Sequence, residues 1–397
     1  MGTLSLQDIF RQHYPAYERA HRVPSHQRKA ARAIMQCRTA ALGGHVQSCP
    51  DGHFSRIWYN SCRHRACPQC AFIQSERWLA RQRARLLACP HYHVIFTVPH
   101  ELNPIWRCNM RQLSGLLFQA VRDSLMELLG DSKYLGAKPG LMLAFHSWGR
   151  SLVLHPHLHA LVSGGGLDRD GQWQAVRNGF LLPVRVVKAL FRGKFIWGLR
   201  RLHERGDIRL PAEMGEQTFI NLLNRLGHPK KTRWNVHIRE RYTHAEGVAT
   251  YIARYMRGGP LSNRQLVSVS GAQVTFQYKD HRGGASAGQA VRRCMRLPAS
   301  AFIHRVLLHV PVPNTQVVRF YGLYHASQSA ALTQCQAQLG QVPETSPERL
   351  TWQVVCATRG DVHPERCPVC GEELVCTGTV PRHFGSDPPG VEVADAA

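Results

Sequence analysis

Long apolar runs are missing from this 397-residue sequence. No stretch reaches the ~18 consecutive apolar residues that a membrane-spanning helix needs, and no polybasic amphipathic helix stands out to bind a membrane surface. The opening, MGTLSLQDIFRQHY, has no basic region followed by an apolar core and does not read as a signal peptide. No internal repeat is evident. A composition of 44% hydrophobic and 19% charged residues excludes a wholly disordered chain. Negative charge is also scarce, with 26 Asp and Glu against 50 Lys and Arg and a formal net charge of +24. So large an excess calls for a polyanion, and nucleic acid is the usual one. Arginine outnumbers lysine, as suits phosphate recognition. The expected location is cytoplasmic and DNA-associated, where the 13 cysteines serve as metal ligands or free thiols rather than disulfides.

Length allows two or three domains. Residues 1–90 read as one module. A basic helix over His26–Cys37 and a Gly43-Gly44 break lead to CPDGH (49–53) and then SCRHRACPQC. Cys49, Cys62, Cys67 and Cys70 offer four thiolates for a tetrahedral structural zinc. His53 and His64 are alternative ligands, so the spacing allows four cysteines or three with a histidine. Arg63, Arg65, Arg77, Arg81, Arg83 and Arg85 surround or follow the cluster, and Arg63, Arg65 and Arg81 are candidate DNA contacts.

From His91 the pattern changes. YHVIFTVP (92–99) reads as a buried strand stopped by proline, and leucines from 113 to 128 fall at helical spacing. A strand over Leu141–His146 turns at Trp148-Gly149-Arg150 into SLVLHPHLHALVSGGG (151–166). Along that strand Val153, His155, His157, His159 and Leu161 share one face while Leu154, Leu158, Ala160 and Val162 share the other. With the apolar face buried, His157 and His159 converge on one point from a rigid base and can hold a divalent ion. If the two strands form a hairpin, His146 comes near His155 and is the candidate third ligand.

The second informative element is THAEGVATYIARYMRGGP (243–260). Thr243 and Glu246 make a capping box, and Gly258-Gly259-Pro260 stops the helix. Val248, Ile252 and Met256 form its core stripe, with Tyr251 and Tyr255 stacked to one side and Arg254 further round, a further candidate DNA contact. A phenol can attack a DNA phosphate in line, forming a phosphotyrosine and freeing a 3′ hydroxyl. An ion on His157 and His159 would polarise that phosphate. Beyond residue 326 the chain holds CPVCG, in which Cys367 and Cys370 are half of a second zinc site, and it ends on a run of disordered character.

HSWG followed by HPHLHALVSGGGL, YNSCRHRACPQC, YHVIFTVPHELN, LFRGKF, YIARYMRG and RFYGL occur in that order from about residue 15 to about 325. Together they resemble the rolling-circle transposases of the insertion-sequence-91 family, within the HUH endonuclease superfamily, where U is a hydrophobic residue. The resemblance implies that His157-Leu158-His159 is the HUH motif and that Tyr251 and Tyr255 hold the nucleophile positions. It implies an α+β fold with a central antiparallel sheet flanked by helices and a small N-terminal zinc-binding domain. It further implies Mg²⁺ or Mn²⁺ as catalytic ion and single-stranded or melted DNA at the element's ends as substrate. Many relatives carry Cys-x-x-Cys where this chain has Cys49-Pro-Asp-Gly52, which makes His53 a substitute ligand. The expected organisation is 1–90 zinc and DNA binding, 91–300 catalytic, and 301–397 a C-terminal extension. The expected function is a transposase that nicks and rejoins one DNA strand through a 5′-phosphotyrosine. A plasmid-type replication initiator and a non-catalytic zinc-dependent regulator are the alternatives.

Overall fold

The structure, a computed structural model, describes residues 4–229, 234–242, 260–280, 291–342, 351, 365–383 and 392–393. At its centre is an antiparallel sheet built from β3 (His91–Thr97), β4 (Lys138–Trp148), β5 (Leu154–Leu167), β7 (Asn235–Tyr242) and β11 (Val318–Gly322) in the order β11-β4-β5-β3-β7, with the short β6 (Trp173–Ala175) beside β5. Period-two alternation divides its residues cleanly. Val94 and Phe96 of β3, Leu141 and Leu143 of β4, and Leu158, Ala160 and Val162 of β5 face a core closed by helices α5 (Met110–Gly130) and α6 (Val184–Glu204). Ridge residues Leu113, Leu117, Val121 and Leu125 of α5 meet Phe191 and Phe195 of α6 there, all fully buried. The opposite face carries Met142, Ala144 and Leu161, covered in part by Trp78 and Leu79 of α3 (Ala71–Arg83) and by Leu332 and Cys335 of a late helix.

The packing does not divide at residue 90 as the sequence reading expects. Helices α1 (Leu6–Ala20) and α2 (Ser25–Gln36) bury Ile9, Phe10, Tyr14, Ala30 and Ile34 against Phe302, Ile303 and Val306 of α8 (Ala299–Leu308) and against Val274 and Phe276 of β9 (Gln273–Asp280). The reason is arithmetic of surface. Two short amphipathic helices cannot close a core between themselves, and the apolar stripe of α8 supplies the third side.

Nor is the region after 301 an extension. β11 is the edge partner of β4, from Val318 opposite Ala144 to Gly322 opposite Gly140. Helix α9 (Ser329–Gln338) packs on the central sheet's second face. β12 (Val375–Val380) pairs with β1 (Gly44–Ser48), which pairs in turn with β2 (Ser55–Tyr59), and β13 (Glu392–Val393) completes a four-stranded sheet. Among the described residues no helix is long and apolar enough to cross a membrane.

Candidate metal centre and nucleic-acid interface

β4 and β5 are joined by a tight turn in which Leu152 takes a positive φ of 61°. A register shift between His146 and Trp148 sets the pairing, and His146 stands opposite His157, not near His155 as simple hairpin counting expects. Directly opposed residues of an antiparallel pair share a face, so His146, His157 and, two residues on, His159 point to the same side. One ring nitrogen from each lies within 4.8 Å of the others. His146 and His159 are buried, and His157 is half-buried at the open side. Trp148 stacks on His146 with ring centroids 4.6 Å apart and fixes that ring's plane.

Hydrogen bonds set the tautomers. His157 Nδ1 is 2.7 Å from the His155 carbonyl, which only accepts, so Nδ1 carries the proton and Nε2 keeps its lone pair. Burial of the ring pushes the His157 pKa down to about 4, so it is a neutral imidazole at physiological pH. His159 Nδ1 lies 2.8 Å from Nε2 of His93, a fully buried residue of β3. The sequence reading passed over His93, whose only signal is one imidazole inside the otherwise apolar YHVIFTVP. Three imidazoles converging, with no carboxylate in the cluster among the described residues, suit a divalent cation with open coordination positions. Tyr251, Tyr255 and Arg254 lie outside the described residues.

The thiols sort differently from their order in sequence. Cys62, Cys67 and Cys70 meet Cys37, not Cys49, with the four sulfurs within 4.8 Å of one another. Cys37 Sγ is 3.1 Å and Cys62 Sγ 3.5 Å from Cys70 Sγ. Crowded thiols share protons unequally: the hydrogen bond from Cys37 holds Cys70 far below the ordinary thiol range, and the same neighbour pushes Cys67 far above it. A zinc ion held here would replace those protons, and four sulfurs in this arrangement fit it. His64 is not a ligand, because its Nδ1 accepts from the Ala66 amide at 3.2 Å. Cys49 instead lies with His53, Cys367 and Cys370. The sequence reading missed Cys37 because nothing local marks a cysteine at a helix end, 25 residues before Cys62, as a ligand.

A basic groove of about 820 Å³ runs between α3 and β11, lined by Arg65, Trp78, Arg85, Arg122, Arg319 and Tyr321 among others. Arg319 lies 4.3 Å from the Phe118 ring centroid, and Arg85 and Arg122 each lie 5.6 Å from those of Phe320 and Tyr321. Cations interleaved with aromatic faces are what a single nucleic-acid strand requires. Thr315 and Val317 line both this groove and a small cavity that Phe145, Ser147, Trp148 and His309 also line. Of the arginines expected from sequence, Arg65 lines the groove, whereas Arg63 and Arg81 are exposed outside it.

Known proteins resemble the chain along most of its length. A family model described as "Transposase zinc-binding domain", built on IS91-type proteins, matches residues 9–98, and one described as "Putative transposase" matches residues 140–331. "Putative transposase y4qJ" of Sinorhizobium fredii is 37% identical over 344 residues, 85% of this chain and 85% of the relative. The chain belongs to the IS91-type transposase family. The "Transposase for insertion sequence element IS801" of Pseudomonas savastanoi pv. phaseolicola is 26% identical over 358 residues, 87% of this chain and 82% of that one. Among solved structures, the conjugative relaxase TrwC in complex with a 27-mer DNA matches at 14% identity over 64% of this chain and 75% of its own, with a TM-score of 0.23. At that score the likeness carries no argument. For an IS91-type transposase, the four-thiol cluster of Cys37, Cys62, Cys67 and Cys70 lies within the residues matched by the zinc-binding domain, which supports a structural zinc in this part of the chain.

Proposed function

We propose that this transposase nicks and rejoins single-stranded DNA at element ends through a 5′-phosphotyrosine intermediate, in rolling-circle transposition. The observation that supports the reading best is the convergence of His146, His157 and His159 on one face of the central sheet in a chain of this family. Mg²⁺ or Mn²⁺ held by these imidazoles would supply Lewis-acid stabilisation of a phosphate. The chain's own residues do the rest. Tyr251 or Tyr255 attacks phosphorus through its phenol oxygen, the bond from phosphorus to the 3′ oxygen breaks, and the 3′ oxygen leaves with a proton. The 5′ end stays on the tyrosine, and reversal of the step by a new 3′ hydroxyl rejoins it without ATP. The groove between Arg85 and Arg319 orients the strand by its phosphates and stacks its bases.

Incubating the protein with a 3′-labelled single-stranded terminus, so that the label stays on the fragment whose new 5′ end joins the tyrosine, with Mn²⁺, and then denaturing it, tests the reading. A covalent adduct is expected, reduced by replacing either tyrosine with Phe and lost when both are replaced. An adduct that persists in the Tyr251→Phe, Tyr255→Phe protein would falsify the assignment of the nucleophile.

A further inference from the structure

Cys49 and Cys370 are 321 positions apart in sequence, yet their sulfurs lie 3.5 Å from each other. His53 Nδ1 is 3.8 Å from the Cys49 sulfur, and with Cys367 the four ligand atoms fall within 4.8 Å of one another. Zn–S bonds of about 2.3 Å at tetrahedral angles place ligand sulfurs about 3.8 Å apart. A disulfide requires about 2.05 Å. The spacing therefore suits a shared cation rather than a bond.

Each half of the cluster is a turn shaped for the purpose. In Cys49-Pro-Asp-Gly-His53 the Gly52 amide donates to the Cys49 carbonyl at 3.0 Å, with Gly52 at φ 75°. In Cys367-Pro-Val-Cys-Gly371 the Gly371 amide donates to the Cys367 carbonyl at 2.9 Å, with Gly371 at φ 81°. The Val369 amide also donates to the Cys367 sulfur at 3.4 Å, as the His64 amide donates to Cys62 in the first cluster at 3.4 Å. Amides aimed at sulfur stabilise a thiolate.

Packing alone gives this corner little. Among the described residues its buried apolar cluster is Cys49, Cys367 and Leu374, with Phe54 beside them. So small a core needs a staple. The strand that enters the first turn pairs with the strand that leaves the second, β1 with β12, from Ser48 opposite Val375 to Gly44 opposite Val380.

We propose that Cys49, His53, Cys367 and Cys370 form a second structural zinc site, assembled from the two distant segments, which fastens β12 to the N-terminal sheet. The zinc-binding module is thus incomplete until the late CPVCG segment has folded back onto it. This inference is independent of the strand-nicking chemistry.

The test is zinc content of the full chain, measured by mass spectrometry of the metal and by mercurial-triggered release. Two zinc per chain are expected, falling to one in His53→Ala and in Cys370→Ser, both substitutions of exposed residues. Cobalt substitution separates this loss from unfolding, since each variant should keep the spectrum of the four-thiolate site. Hydrogen exchange of residues 375–380 should rise at least tenfold in both variants. One zinc in the unaltered chain, two retained in both variants, or a Cys49–Cys370 disulfide in protein alkylated at lysis overturns the proposal.

Discussion

His93 Nε2 stands 2.8 Å from His159 Nδ1, with both rings buried on the histidine-bearing face of β5. A hydrogen bond between two imidazole nitrogens takes one proton, given by one ring and accepted by the other. Only when His159 Nδ1 donates does its Nε2 hold a lone pair for an ion, so His93 acts as the acceptor that selects the ligating tautomer. Replacing His93 with Ala should weaken Mn²⁺ binding about 10- to 100-fold, measured by titration calorimetry. His157→Ala should abolish the binding, and His155→Ala should leave it within about threefold, since the exposed His155 contributes its carbonyl and not its ring. Equal losses in His93→Ala and His155→Ala would remove the distinction.

The core shared between α1, α2 and α8 makes a prediction about stability. Phe302 is fully buried and its ring centroid is 5.7 Å from that of Phe276. Truncation to Ala should cost about 3–5 kcal/mol, and protease cleavage should appear first within residues 6–36, although that segment is far from 302 in sequence. Protection of 6–36 unchanged by Phe302→Ala would mean that the N-terminal helices stand alone.

The groove makes a prediction about salt. Each phosphate neutralised on a single strand contributes about 0.7 to the slope of log K against log salt. Arg85→Ala and Arg319→Ala, tested on a single-stranded oligonucleotide, should each lower the slope by roughly that amount, and Arg63→Ala should not, because Arg63 is outside the groove. Loss of affinity with an unchanged slope would point to packing rather than phosphate contact.

Acid should destabilise the protein in a defined window. Burial holds His91 and His309 down to about 4. His91 donates from Nδ1 to the Cys89 carbonyl at 2.9 Å and accepts at Nε2 from Tyr324 at 2.6 Å. His309 donates from Nε2 to the Leu152 carbonyl at 3.1 Å. Below an unfolded value of about 6.5 the unfolded chain takes up protons that the native rings refuse, so stability is complete above that pH and falls as pH drops toward 4. At pH 5 the loss is roughly 2 kcal/mol for each ring. Urea midpoints in zinc-saturated buffer at pH 7.5 and 5 check this. His309→Gln should be less stable at pH 7.5 but lose less on acidification, and parallel losses in the two proteins would contradict the assignment.

The histidine face of β5 was legible because alternation is a local property: each side chain's direction follows from its place in the strand. The apolar stripe of α5 was legible for the same reason, at helical period. The position of His146 was legible only as a candidate, because one shift of register at the β4–β5 turn moved its partner from His155 to His157. His93 was hidden, since its role depends on β3 lying beside β5 with His93 opposite Leu161.

What the sequence by itself determined, then, is the set of chemical groups: thiols in knuckle spacing, imidazoles at alternate positions, arginines in excess, and family motifs in order. Tertiary structure decided which of them meet. Cys37 replaces Cys49 beside Cys62, Cys67 and Cys70, and Cys49 is carried off to Cys367 and Cys370. Knuckle spacing fixes which neighbours within a turn can share an ion. The remaining ligands arrive on other elements, and their arrival is set by strand pairing and helix packing, whose free energy is spread over residues far from any cysteine.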